Sequence, residues 1–306
     1  MGAWFEMVVG LGWIAAVAAI ALATFVGLVL LLYLVGPLLV RATVRLREDQ
    51  PVRPLGKNAL PLASIAAKKR VGPSLEELGF MPTADLFSRE PAFDLTITIH
   101  VYEQAEAGRS AAILVPFPHA GSSGPLGDDG RPLDREAKAG PWTLDFCTLY
   151  GDGVELDTTL SSNPSVLLTS GRKRSLQVDH LEPPDLYRLH LIREARRERE
   201  DAAFGDALVR HLPDADDPAT SINTQLLHEY AEMRAIGYLR RDPADPRANK
   251  LTLPAAYRTT WRTLWPLKPI LLARARRRAD AMLADADSPP SDRTPAVRRG
   301  SPIAMT

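Results

Sequence analysis

One cysteine in 306 residues excludes a disulfide framework and any cysteine-rich zinc or iron–sulfur module. Neither charge is in excess, since 37 Lys and Arg stand against 37 Asp and Glu, so nucleic-acid binding through bulk positive potential is excluded as well. The 20 Gly and 26 Pro are too few and too aperiodic for a collagen-like or low-complexity chain. Charge is missing most conspicuously at the start. Only Glu6 is charged among the first 40 residues, and the 34 positions from Met7 to Val40 carry no charge.

As a helix, that run would rise about 51 Å against a hydrocarbon core of about 30 Å, which predicts a transmembrane anchor over residues 1–40. Trp13 and Tyr33 would stand about 30 Å apart, at the two interfaces where amphipathic rings are favoured, and Pro37 is expected to end the helix. Arg41, Arg45, Arg47, Arg53 and Lys57 follow the span, while only the α-amine precedes it. The positive-inside rule therefore puts the N-terminus outside and the body in the cytoplasm. The absence of a basic n-region and the length of the run argue for a signal-anchor over a cleaved signal peptide. Arg outnumbers Lys 30 to 7, as codon usage in a GC-rich bacterial genome would give, so the membrane expected is a bacterial inner membrane. Ala15, Ala19, Ala23 and Gly27 form a strip of small residues, which reads either as a homodimer seam or as the chance product of an Ala-rich span.

Behind the anchor, residues 41–73 read as a basic, Pro-containing linker with at most a short helix near Ser64–Arg70. Its Lys68, Lys69 and Arg70 are candidates for headgroup contact. A helix turn is expected from Ser74, with Gly79 as its stop. Residues 74–182 form the β-rich part. A strand near Phe80–Phe87 precedes Leu95–Tyr102, whose odd positions are expected inside and whose Thr96, Thr98, His100 and Tyr102 are expected on a polar face. Ala111–Phe117, Trp142–Tyr150, Val154–Leu160 and Ser175–His180 follow, with Gly151-Asp152-Gly153 as a tight turn. Residues 183–287 read as helical. The first helix, from Pro184, has Leu186, Leu189 and Ile192 inward and Arg193, Glu194, Arg197 and Glu198 on a charged outer surface. A second stretch holds Phe204, Leu208 and Leu212. A third runs from Ser221 to about Tyr238, with His228, Glu229 and Glu232 outward. Residues 288–306 read as a disordered tail. The fold class is α+β: a single transmembrane helix, an antiparallel sheet of about five to six strands, and C-terminal helices packed on it.

No catalytic, cofactor or metal residue is assigned. The run His228-Glu229-Tyr230-Ala231-Glu232 places a carboxylate where a zincin-like site needs a second histidine, and reads as an exposed helix face. The connection 119–140 holds His119, Ser122, Ser123, Asp128 and Asp129, but neither a nucleophile elbow nor a phosphate loop. Cys147 reads as a small, core-facing or half-buried residue. Asp152, Glu155 and Asp157 lack the calcium-loop order and read as turn and solvent-face residues. Near the C-terminus, Tyr257, Trp261, Leu264 and Trp265 cluster at helical spacing, with Pro269 as a helix opener and Arg274, Arg276, Arg277 and Arg278 beyond. Such a segment packs in a core, lies on a membrane surface, or binds a protein. The membrane-surface reading has Arg41, Arg45, Arg47, Trp261, Trp265 and the four later arginines touching lipid.

The functional expectation is a single-pass membrane protein displaying a cytoplasmic domain that binds or scaffolds without chemistry. Its partners would be membrane lipid and an unidentified protein, with no nucleic acid and no cofactor. The rival is a membrane-anchored hydrolase using the 119–140 loop.

Overall fold

The computed structural model describes residues 2–48, 52–56, 60–90, 95–118, 139–162, 172–202, 210–211 and 217–287. In chain order they form α1 (Gly2–Thr43), β1 (Leu46–Arg47), β2 (Arg53–Pro54), α2 (Leu62–Glu77), β3 (Met81–Glu90), β4 (Leu95–Gln104), β5 (Arg109–Pro118), β6 (Thr143–Tyr150), β7 (Glu155–Leu160), β8 (Lys173–Val178), α3 (Pro183–Ala202), β9 (Arg210–His211), α4 (Pro218–Ala235), β10 (Leu239–Asp242), β11 (Asp245–Leu251), α5 (Leu253–Thr263) and α6 (Leu267–Asp287). The class is α+β. The main sheet runs in the order β2-β3-β4-β5-β6-β7-β8, with β9 paired to β6, and is antiparallel except where β8 lies parallel to β7. A separate small sheet has the order β1-β11-β10.

There are thus more strands than the five to six expected. The two-residue strands β1, β2 and β9 are too short to carry a period. The β10–β11 hairpin, within the span read as helical, is built from Leu-Arg-Arg-Asp and Asp-Pro-Arg-Ala-Asn-Lys-Leu, where charge and proline conceal the alternation. The stretch with Phe204, Leu208 and Leu212 lies outside the described residues. The expected turn at Gly151–Gly153 is present, with Gly153 at φ +77° and the Asp152 carboxylate accepting from Val154 N at 3.1 Å.

Within the segment read as a linker, α2 is a full helix that crosses Pro73. An interior proline costs about 3 kcal/mol. Burial of Ala67, Val71 and Leu75, spaced every four residues, works against that cost by setting one face of α2 on the sheet. Gly79, at φ +86°, ends the segment, with Phe80 N bonded to Leu75 O at 2.9 Å and Gly79 N to Glu76 O at 2.9 Å. Lys68 donates to Asp85 at 2.7 and 2.9 Å.

Both faces of the sheet are covered, which overturns the polar outer face expected on β4. Thr96, Thr98, His100 and Tyr102 are all buried. Helices α2, α3 and α6 pack on their side of the sheet around Phe80, Ile113, Phe117, Phe146, Leu186 and Leu189. On the opposite side, α4 packs through Ala219, Ile222 and Leu226 against Leu86, Ile99 and Val101. It is capped by the Asp217 carboxylate, which accepts from Thr220 N at 3.1 Å, and it stops at Gly237, φ +72°.

The charged surface expected on α3 is also overturned, because Arg193, Glu194 and Arg197 are buried against the sheet. They are tolerated because they are hydrogen-bonded. Arg109 of β5 grips Glu194 through Nε and Nη2 at 2.7–3.1 Å. Thr148 donates to Glu194, so it accepts from His190 Nε2 at 2.9 Å. Thr158 accepts from Arg193 and lies 2.9 Å from His190 Nδ1. Burial pushes the His190 pKa down, which favours the neutral imidazole, and with its Nε2–H donated to Thr148 the Nδ1 accepts from Thr158. Burial raises the Glu194 carboxyl, but bonds from His190, Arg109 and Thr148 outweigh that and hold it at about 2.

Two consequences follow for stability. A carboxyl depressed in the fold stabilises fully above its ordinary value near 4.5 and progressively less as pH falls toward about 2. Glu194→Gln should therefore flatten the acid limb of the stability profile. At neutral pH it should cost at least about 3 kcal/mol, since the Arg109 charge loses its partner. Urea titrations of wild type and variant in detergent at pH 7 and pH 3 measure both effects.

Candidate functional site: an aromatic collar and an acidic cavity

Helix α1 does not stop at Pro37. It continues to Thr43, and Pro37 is buried. Lacking an N–H, Pro37 leaves the carbonyl four residues back, that of Tyr33, without its helical donor. The Trp261 indole Nε1 of α5 supplies that bond at 3.0 Å. Around it, Tyr33 Oη donates to the Trp265 carbonyl at 2.7 Å and Tyr257 Oη to the Leu34 carbonyl at 3.3 Å. The Trp261 ring lies 6.2 Å from Tyr33 and 5.1 Å, edge-on, from Tyr257. Gly36 permits the approach, since a Cβ there would stand 3.2 Å from Thr260 Cγ2. Residues read from sequence as packing in a core, lying on a membrane surface or binding a protein are thus a collar clasping α1 near its end. Trp265 remains 65% exposed, and Trp261 and Ile270 are also partly bare.

Below the collar, Val40, Val44 and Leu46 join Tyr230, Met233, Tyr238, Leu251 and Ala256 in a second apolar cluster. Several arginines proposed to touch lipid have partners in the fold. Arg45 pairs with Asp242 at 2.7 Å, and Arg47 with Asp245 at 3.2 Å. Arg276 grips Asp179 through two bonds of 2.6 and 2.7 Å, fastening α6 to the end of β8. Arg41 sits half-buried in the last turn of α1, and Arg274, Arg277 and Arg278 are exposed on α6. The inner face of α6, with Ala275, Ala279, Met282 and Leu283, packs on the main core.

The other concentration of chemistry lies between α4 and the sheet. Register creates it: Glu103 is opposite Ser110, Ser110 opposite Cys147, Cys147 opposite Asp157, and Asp157 opposite Ser175. Five polar side chains thus form one row across β4, β5, β6, β7 and β8. Asp145, Glu155 and Lys173 flank that row, and Glu229 of α4 faces it. A cavity of about 200 Å³ is lined by Glu103, Asp145, Cys147, Glu155, Lys173 and Glu229, among others. Asp157 is 2% exposed, and Glu155 and Glu229 are largely covered, which corrects their reading as solvent-facing groups. His228 is exposed.

The cavity gathers several carboxyl groups around one lysine. Lys173 Nζ lies 3.0 Å from Glu155, 3.1 Å from Asp157 and 3.8 Å from Glu229, and burial is outweighed by these carboxylates, so its pKa rises. Burial would raise Asp157 too, but the Lys173 charge keeps it below the ordinary range. Burial and the Asp157 charge push Asp145 well up and Glu155 to about 8. Burial and the same acidic neighbours raise the Cys147 thiol. The cavity therefore holds a Lys173–Asp157 ion pair beside acids whose neutral form burial favours.

A third group has the order serine, histidine, carboxylate. Ser64 Oγ lies 2.8 Å from His100 Nε2, and His100 Nδ1 lies 2.6 Å from Asp85 Oδ1. Ser64 and His100 are both fully buried beneath α2, and Ser64 also bonds Thr98 at 2.6 Å. With the serine sealed under its own helix, this relay ties α2 to β4 and presents no nucleophile. Of the proposed 119–140 loop, His119, Ser122, Ser123, Asp128 and Asp129 lie outside the described residues.

Trp261→Phe keeps the ring but removes the donor to the Tyr33 carbonyl, and should cost about 1–3 kcal/mol. The expected result is earlier thermal unfolding of α5 and faster proteolysis near residue 264, while the main sheet keeps its hydrogen-exchange protection. Comparison of the chain with protein-family models, curated proteins and solved structures gives no match, so its chemistry is read from this geometry alone.

Proposed function

We propose that the protein is a single-pass, membrane-anchored binding module, with its N-terminus outside and its body held on the cytoplasmic face of a bacterial inner membrane. One observation carries this reading: α1 is bare over the length a bilayer would cover and clasped where it would emerge. From Trp13 to Leu32 no side chain is buried by the rest of the chain. Those residues span about 30 Å, the thickness of the hydrocarbon core. From Tyr33 onward the helix is embraced by α5.

The collar sits where interfacial aromatics are favoured, so Trp261, Trp265 and Ile270 would rest among the headgroups beside the anchor. Arg274, Arg277 and Arg278 follow on α6 and carry the positive charge that an anionic leaflet attracts. The arginines just after the span act chiefly through the fold, since Arg45 and Arg47 are ion-paired. Clasping also has a mechanical consequence: the body is held at a fixed distance and tilt from the membrane, as a scaffold for partners requires.

Two measurements test this. A phosphatase reporter fused to the C-terminus should be inactive and a cytoplasmic reporter active; the reverse pattern overturns the orientation. In nanodiscs with lipids brominated near the headgroup, tryptophan fluorescence should be quenched, and Trp265→Ala should reduce the quenched share. An unchanged share would remove the collar from the membrane.

A further inference from the structure

We propose that the cavity between α4 and the sheet binds a divalent cation of the zinc class, through the Cys147 thiolate and the Glu155 and Asp157 carboxylates, with Glu229 of α4 completing the set. This goes beyond the membrane reading and does not depend on it.

The ligand atoms are already gathered. One donor atom each from Cys147, Glu155 and Asp157 lies within 4.8 Å of the others. Zinc bonds of about 2.0–2.3 Å in a tetrahedral arrangement set ligand atoms roughly 3.5 Å apart, and the Cys147 Sγ to Glu155 Oε1 distance is 3.7 Å. Small side-chain rotations would close the remainder. Neighbouring strands supply the residues, two from β7 and one from β6, so a rigid sheet holds the donors and only Glu229 comes from a helix.

Acidic residues in a cluster are not a site by themselves, but here two buried carboxylate oxygens lack any partner. Asp157 spends Oδ2 on Ser175, at 3.2 Å, and on Lys173, while its Oδ1 is buried with no hydrogen bond. Glu103 is 4% exposed, lines the same cavity, and has its Oε1 equally unmet. Leaving such an oxygen dry and unpaired is costly. Among the described residues, Lys173 is the only cationic side chain lining this cavity, against Glu103, Asp145, Glu155 and Glu229, with Asp157 beside them. Lys173 on Oδ2 leaves Oδ1 as the donor.

The thiol selects the ion. Sulfur with carboxylate oxygens suits a borderline cation such as zinc or cobalt better than magnesium or calcium, which take oxygen alone. On binding, Cys147 bonds the metal as thiolate and Glu155 as carboxylate, and the proton each held leaves to solvent.

The test uses the full-length protein in detergent, stripped with a chelator and titrated with cobalt(II). Because Cys147 is the chain's one cysteine, a thiolate-to-cobalt charge-transfer band reports on this site alone. The band should saturate at about one equivalent, yield to zinc, and resist excess magnesium and calcium. Cys147→Ser should abolish it, and the near-isosteric Asp157→Asn should weaken cobalt binding more than about tenfold, with the circular dichroism unchanged. Zinc should also raise the unfolding temperature of wild type and not of Cys147→Ser, a readout that a misfolded variant could not mimic because its transition would be lost altogether. Absence of a saturating band in wild type, or a zinc-dependent shift that survives in Cys147→Ser, would overturn the proposal.

Discussion

The bond between the Trp261 indole and the Tyr33 carbonyl governs how the two halves of the molecule meet. Pro37 opens a gap in the α1 ladder, and a carbonyl without a donor is expensive wherever water does not compensate. Proline is tolerated inside such helices when a neighbour restores the bond, and α5 is that neighbour. Once α5 is fixed, β11, which precedes it, and β10 are placed against β1, so the chain leaving α1 is drawn directly into the small sheet. Gly36 lets the helices approach closely enough for this to happen. Helix α1 and the body thus meet through α5 and, beyond it, through the apolar cluster around Val40 and Val44.

The main sheet presents polar residues to both of its covered faces, and the two faces treat them differently. Under α3, Glu194, His190, Thr148, Thr158, Arg109 and Arg193 form a hydrogen-bonded network that holds the imidazole at both nitrogens. Such a network makes one helix position far better than its neighbours. Under α4, carboxylates outnumber cations, and Asp157 and Glu103 keep unmet oxygens. Similar residue types thus build a structural pin on one side and a charged, incompletely satisfied cavity on the other.

What was legible in the sequence was local. The uncharged run at the N-terminus, the strands near Leu95, Ala111, Trp142 and Val154, the turn at Gly153 and the stop at Gly79 all follow from periodicity and backbone preference within a few residues. The misreadings share one cause. Arg193, Glu194 and Arg197 on α3, the even positions of β4, and Asp157 were placed outside because polarity was taken as a sign of exposure. Burial here depends on partners more than 15 positions away, such as Arg109 for Glu194, Ser64 for His100 and Ser175 for Asp157. No window of sequence holds both members of those pairs. Pro37 misled for a related reason, since its cost was visible but the donor that offsets it comes from residue 261.

The sequence by itself determined that one N-terminal helix is long and apolar enough to cross a membrane, and that an α+β body follows, because hydrophobic length and alternation are properties of consecutive residues. Tertiary structure alone decided that the helix is clasped at Tyr33 by tryptophans from the far end of the chain. It alone decided that Cys147, Glu155 and Asp157 converge beneath α4, because strand register brings together side chains whose spacing along the chain carries no motif.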